Sequence, residues 1–202
     1  MTARKSLIAF SGALVLAGAS AGLAQGVRYS DSFTFLKAVR ARDGAKAAGL
    51  AEGARGSAVI NAKDPETGDT GIHIVTRERD LSWIAFLLSK GARTDVQNKE
   101  GATPLVLAAQ IGWTPGADIL LRAGASVDYP NGRGETPLIF AVRNRDLEMV
   151  RLLLSRNANP ERTDSVAGYS ALDYARQDRR ASAVLKLLEA QPKRKEAAGP
   201  VL

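Results

Sequence analysis

Apolar and polar positions along this chain recur with a period of 33 to 34 residues. Thr70-Gly71-Ile72-His73 is followed in phase by Thr103-Pro104-Leu105-Val106, by Thr136-Pro137-Leu138-Ile139 and by Ser170-Ala171-Leu172-Asp173. The pairs Leu87-Leu88, Leu120-Leu121, Leu153-Leu154 and Leu187-Leu188 keep the same spacing. Gly91-Ala92, Gly124-Ala125 and Asn157-Ala158 follow the first three of those pairs at a constant offset. Upstream, Ala38 to Asp43 echoes Ala141 to Asp146. A fixed period of this length marks stacked copies of one supersecondary unit.

Each copy reads as two helices. Thr at the head of the tetrapeptide is a good N-cap, and the Pro after it has φ preset for a first helical turn. An apolar residue and one or two Ala then make a short helix with a small-residue face. A second helix carries the Leu pair, as in Leu147 to Ser155, with Met149, Val150, Leu153 and Leu154 turned inward. Gly91, Gly124 and Asn157 stand where a helix ends in a left-handed residue. Asp95 to Gly101 and Asp128 to Gly134 carry turn chemistry. No such unit buries its apolar face alone, so neighbours must stack. Trp83 takes an inward position of a second helix and is expected in the core, whereas Trp113, between helices, is expected to be partly exposed.

The tetrapeptide, the Leu pair followed by Gly-Ala and the 33-residue period together resemble the ankyrin repeat. The resemblance implies an all-α solenoid of five helix-turn-helix units with β-hairpin-like loops, at roughly 30–67, 68–100, 101–133, 134–167 and 168–190. Units three and four match best; units one and five are degraded, as caps are. It also implies that His73 is a structural residue bonded to neighbouring hydroxyl and backbone groups, alongside Thr70, Thr103, Pro104, Thr136 and Pro137. Partner-facing positions carried over from the family are Arg77 and Glu78, Gln110 and Ile111, Arg143 and Asn144, with Arg40, Ala41, Gln177 and Asp178 at the ends. The loops add Lys99, Glu100, Ala102, Arg133, Glu135 and Tyr169. Binding of a partner protein through the concave face and the loop tips is the function this implies.

The first residues change the picture of where that happens. Arg4 and Lys5 precede an apolar run from Leu7 to Ala19 and a small-residue exit, the layout of a secretory signal peptide. The run is too short for the roughly 20 residues of a membrane span. Residues 1–24 are therefore expected to be removed after Ala24, with Ala21 as the other candidate bond. A soluble, monomeric protein of the periplasm or cell exterior, without a stable membrane anchor, is the expectation. Residues 191–202 read as a basic, disordered tail.

Composition removes most chemistry. The chain of 202 residues has no Cys and one His, so thiolate sites, disulfides and multi-histidine metal sites are excluded. No phosphate-binding glycine loop, metalloprotease helix or nucleophile elbow occurs. A lone His without a Ser or Asp at motif spacing makes no triad. No enzyme, cofactor or metal is expected. Asp64-Pro65-Glu66-Thr67-Gly68-Asp69 offers oxygen ligands for a hard cation but lacks the closing Glu of a calcium loop, and a solvated turn is the better reading. The net charge of +7 falls to +5 without residues 1–24, and Arg alternates with acid, as in Arg77-Glu78-Arg79-Asp80, which argues against a nucleic-acid partner.

Arg40, Arg77 and Arg143 share one phase of the repeat, with Gln110 in the third unit. Arg42, Arg79 and Arg145 share another, with Gly112 in the third. Guanidinium forks grip carboxylates and phosphates bidentately. The first series is read equally as ligand-binding or as pairing with neighbouring acids, and the second as pairing with Asp43, Asp80 and Asp146 between units. Other readings keep the same scaffold. It would serve as an immunity- or chaperone-like factor for one envelope enzyme or toxin, or as a binder of an anionic envelope polymer or lipid head group.

Overall fold

The computed structural model describes residues 20–191, with side chains from Asp31 onward. Residues 1–19, which include the apolar run Leu7–Ala19 of the expected signal peptide 1–24, and residues 192–202 of the expected tail 191–202 lie outside the described residues. Eleven helices are described: α1 (Ser20–Ala41), α2 (Gly44–Glu52), α3 (Gly56–Ile60), α4 (Gly71–Arg77), α5 (Leu81–Ser89), α6 (Pro104–Gln110), α7 (Thr114–Arg122), α8 (Pro137–Arg143), α9 (Leu147–Ser155), α10 (Ala171–Gln177) and α11 (Ser182–Glu189). None of them is long and apolar enough to cross a membrane.

The helices pack in two rows. α1, α4, α6, α8 and α10 touch in sequence to make the first row; α5, α7, α9 and α11 make the second, which α2 precedes. Small residues let the first row close up: Ala108, Ala109 and Ala141 are fully buried between its helices. Between the rows lie Ile84, Leu87, Leu105, Leu120, Leu138, Met149 and Leu153, all without solvent contact. Each such side chain contributes roughly 1.5–3 kcal/mol of transfer free energy. One core cluster runs from Phe35 in α1 to Leu188 in α11, so every unit depends on its neighbours for burial.

Helix starts follow the sequence. The hydroxyls of Thr103, Thr136 and Ser170 accept the backbone N–H of Val106 (3.3 Å), Ile139 (3.3 Å) and Asp173 (3.1 Å). Pro104 and Pro137 occupy the first helical turn, where no intrahelical donor is missed. In the second row, Asp80 and Asp146 cap α5 and α9 through the N–H of Trp83 and Met149. Asp43 caps α2 in the same way.

The loops between units are also periodic. Asp64, Asn98, Asn131 and Asp164 each fold their carbonyl-type side-chain oxygen back onto two or three backbone N–H groups of their own loop. Successive loops are joined by main-chain bonds, Lys99 N–H to Thr67 O (3.0 Å), Gly132 N–H to Glu100 O (3.2 Å) and Ser165 N–H to Arg133 O (2.8 Å). A second ladder ties the start of each loop to the next unit: Asn61, Asp95 and Asp128 accept the N–H of Arg93, Ser126 and Asn159.

The loops are hairpin-like turns, each closed by a main-chain bond such as Asn98 N–H to Ala102 O (3.0 Å), with one isolated bridge, Thr163 to Ser170, among the described residues. Three expectations need correction. Unit one departs from the two-helix pattern, because a third helix, α3, follows α2 with its Val59 and Ile60 buried. Trp113 is buried, at 6% exposure, because Gly116 leaves room for its ring; a methyl at Gly116 would come 2.0 Å from it. Trp83 is only half-buried, lying edge-on to Phe86 with the Arg42 guanidinium 5.5 Å from its ring centre.

Candidate protein-interaction face

The turn between the two helices of a unit requires a residue with φ near +60°, which only Gly adopts without strain. In units one, two and four that residue is Arg42 (φ 58°), Arg79 (55°) and Arg145 (56°); in unit three it is Gly112 (64°). The left-handed backbone aims each of these Arg side chains at the next unit. Arg42 meets Glu78 and Asp80, the latter at 3.0 Å. Arg79 donates to the Ile111 carbonyl oxygen, and Arg145 meets Asp178 at 3.0 Å. Asp43 and Asp146, expected to pair with this series, serve as helix caps instead. Unit three has no such Arg, and there Asn144 reaches back from unit four to the Gln110 carbonyl oxygen at 3.1 Å.

The other Arg phase sits at the end of the first-row helices. Arg77 Nε donates to Asp69 at 3.3 Å and Arg143 Nη1 to Glu135 at 2.6 Å, each pair separated by eight residues. Both carboxylates are buried, at 6% and 7% exposure, and each is also held by an amide, from Asn98 and Asn131 respectively. The guanidinium ends stay near half-exposed. Arg40 pairs with Asp64 at 2.5 Å. That pair, with the loop N–H of Thr67 next in weight, pulls the Asp64 carboxyl down to about 2. Asp64 and Asp69 thus serve different partners and do not converge on a common cation.

His73 is fully buried at the start of α4. Its Nδ1 accepts the Thr70 N–H (3.2 Å) and lies 2.8 Å from the Thr70 hydroxyl, while Nε2 is 3.0 Å from the Ala102 carbonyl oxygen. A carbonyl only accepts, so the proton sits on Nε2 and the ring is neutral. Burial pushes its pKa below the ordinary value. The ring therefore caps its own helix and pins unit two to unit three. In unit five Asp173 plays the first of these roles, accepting the Ser170 N–H at 3.0 Å and hydroxyl at 2.6 Å.

Two cavities flank Arg143 along the first row. One, of about 370 Å³, is lined by Glu100, Gln110, Asn131, Arg133, Glu135, Phe140 and Arg143. The other, of about 400 Å³, is lined by Val142, Arg143, Tyr174, Gln177 and Asp178. The Arg143 guanidinium lies 5.6 Å from the Tyr174 ring centre, and Tyr169 packs edge-on to Tyr174. The Tyr174 hydroxyl donates to Asp164 at 2.6 Å, which raises the phenol's pKa. Such a surface offers hydrogen bonds, charge and aromatic area.

The family model for ankyrin repeats (3 copies) matches residues 72–164 and 117–196, well over half of the chain. The chain belongs to the ankyrin repeat family. Ankyrin repeats are in general protein-binding scaffolds, and the family is typically a non-catalytic interaction module.

On this ankyrin stack the carried-over positions divide. Arg77, Glu78, Gln110, Arg143 and Asn144 are exposed at the end of the first row, and Lys99, Glu100, Arg133 and Tyr169 are exposed on the loops. Ile111 is half-buried against the core. Glu135 and Ala102 are buried, which corrects their assignment as contact residues. Glu135 is the internal anchor of Arg143, and the Ala102 carbonyl is the acceptor for His73. Thr70, Thr103, Pro104, Thr136 and Pro137 are buried at helix starts. Sequence reasoning missed the anchors Asp69 and Glu135, although their common eight-residue offset to Arg77 and Arg143 was a usable signal. It also missed that Arg42, Arg79 and Arg145 occupy left-handed positions, for which Gly112 in the same phase was the clue.

Proposed function

We propose that this protein is a non-catalytic scaffold of the periplasm or cell exterior that binds one partner protein through the first-row helix ends and loop tips of units two to five. The observation that carries the reading is the contrast on that face. Its exposed side chains recur in phase, and Arg77 and Arg143 are held in place by buried acids that Asn98 and Asn131 fix from the other side. Ordered, half-exposed polar side chains lose little entropy when a partner arrives. The basic n-region, the short apolar run from Leu7 to Ala19 and the small-residue exit before Gln25 support export, with Gln25 as the mature start and a monomeric product. An immunity- or chaperone-like factor would use the same face on an enzyme or toxin. Exposed Glu78, Glu100 and Tyr169 stand on the same face as the Arg side chains, and that mixture of charge and aromatic area gives a protein partner more support than an anionic polymer or lipid head group.

The test is affinity capture from envelope extract with three forms of the exported protein. Lys99→Glu with Arg133→Glu reverses charge at loop tips; the Lys99 ammonium donates to the Pro65 carbonyl oxygen and not to a carboxylate. Arg151→Glu with Lys186→Glu does the same on exposed second-row positions. Capture of a partner by the wild type and the second-row variant, and its loss in the loop-tip variant, is the expected result. Equal loss in both variants would sink the face assignment. Intact mass of the exported chain reports the cut; a full-length, membrane-held species would overturn the export reading.

A further inference from the structure

Resting on the face assigned above, we propose that its ligand is an acidic segment in extended conformation, with two carboxylates six residues apart that dock on Arg77 and Arg143. The argument begins with the unused donors. Arginine has five N–H donors in a planar fork. Arg77 spends Nε on Asp69, which leaves its two Nη groups as an end-on pair. Arg143 spends Nη1 on Glu135, which leaves Nε and Nη2 as a side-on pair. Each guanidinium is thereby clamped by a buried acid yet keeps one edge of the shape that takes a carboxylate bidentately. Both oxygens of each clamping acid already accept a bond, one from the Arg and one from Asn98 or Asn131, which fixes the acid in place beside its guanidinium.

Unit three breaks the series in an informative way. Where units two and four have Asp69 or Glu135 with an Arg, unit three has Ala102 with Gln110. The row therefore reads fork, amide, fork. α4, α6 and α8 are successive neighbours. Packed helices lie roughly 8–10 Å apart, so the two forks stand on the order of 16–20 Å apart. An extended strand advances about 3.3 Å per residue and a polyproline II chain about 3.1 Å. Six residues cover about 19–20 Å in either form. Six is also a multiple of both the two-residue strand period and the three-residue polyproline period, so carboxylates at i and i+6 face the same way in both. Of the two cavities beside Arg143, the one of about 370 Å³ reaches back to Gln110 of unit three, between the two forks, and offers room for side chains of such a segment.

The probes are synthetic peptides with two Glu in a polyproline host: i and i+6, i and i+3, and the i and i+6 peptide with Gln in place of Glu. Binding to the full-length protein is followed by NMR titration, reading the side-chain Nε–H signals of Arg77 and Arg143. The i and i+6 diglutamate is expected to bind about tenfold more tightly than either control, the effect of one added charge-assisted fork. Arg77→Lys with Arg143→Lys keeps a cation beside Asp69 and Glu135 but removes the two-donor edge, and should erase that advantage. Equal affinity for the two spacings, no binding of any probe, or an advantage that survives the Lys pair would overturn the inference. Loss of partner capture in Lys99→Glu with Arg133→Glu, without any spacing effect, would leave the face assignment standing and remove only the acidic pair.

Discussion

Units three and four are the most regular copies of the repeat, yet they hold their inter-helix turns by opposite means. Unit four puts Arg145 in the left-handed position, accepts its strain, and reaches Asp178 in unit five. Unit three uses Gly112, makes no forward contact from that position, and fills the cap position of its second helix with Trp113 where unit four has Asp146. The Asp146 carboxylate satisfies the N–H of Met149; Trp113 makes no cap bond and buries its ring over Gly116 instead. Polar capping and apolar burial thus serve the same junction. The difference teaches that the period fixes where a turn must be, while each unit finds its own chemistry to hold it.

The sharpest way to break this comparison is to remove the Trp. Trp113→Ala should lower stability by about 3–5 kcal/mol, the range for a buried large aromatic. Trp83→Ala, at a half-buried site under Arg42, should cost clearly less. Urea unfolding followed by circular dichroism measures both. If the two substitutions cost the same, Trp113 is not the apolar substitute for a cap.

His73 gives the next largest effect. His73→Ala leaves the Ala102 carbonyl and the Thr70 N–H without their partner and should cost about 1–3 kcal/mol. The sign of its pH dependence follows from the depressed pKa. Unfolded, the ring titrates near 6.5; folded, it stays neutral to lower pH. Its contribution is complete above about pH 6.5 and is lost as pH falls through the folded pKa. The wild type should therefore lose stability as pH drops below about 6.5, and His73→Ala should flatten that slope. A second loss follows at lower pH, because Asp64 is held down to about 2 by Arg40 and the Thr67 N–H. Its contribution is present above about pH 4 and disappears as pH falls toward 2. Stability curves for wild type, His73→Ala and Arg40→Gln separate the two.

Much of the fold was legible because its signals repeat. Thr-Pro heads, Leu pairs and Gly-Ala ends each recur in phase, and helix starts and buried pairs such as Leu120-Leu121 lie where those signals put them. What stayed hidden was whatever depends on a neighbour in space. The helix α3 interrupts the period and carries no copy elsewhere to compare with. Trp113 looked exposed because its position is a turn, and only the room left by Gly116 explains its burial. Glu135 looked like a loop-tip contact, but the guanidinium and the amide that hold its carboxylate turn it inward. The exposed candidates, Arg77 and Arg143 among them, were readable from phase alone, whereas their acid partners needed the fold.

The smallest effect is expected where the two units differ most visibly. Arg145→Gly would give unit four the turn residue of unit three. Relief of a left-handed non-glycine backbone is worth roughly 1–2 kcal/mol. Against it stand the greater chain entropy of Gly, roughly 0.5–1 kcal/mol, and loss of the Asp178 pair, about 0–1 kcal/mol for charges this exposed. These terms nearly cancel, so the variant should unfold within about 0.5 kcal/mol of wild type. In the converse change, Gly112→Ala, the new methyl meets Asp146 at an ordinary 3.4 Å, so the cost is roughly 1–2 kcal/mol of backbone strain less the roughly 0.5–1 kcal/mol of chain entropy that Gly gives up on folding. A loss beyond about 1.5 kcal/mol in Arg145→Gly would mean that the bond to Asp178 holds units four and five together far more firmly than an exposed pair should, and that the two units do not solve the turn on equal terms.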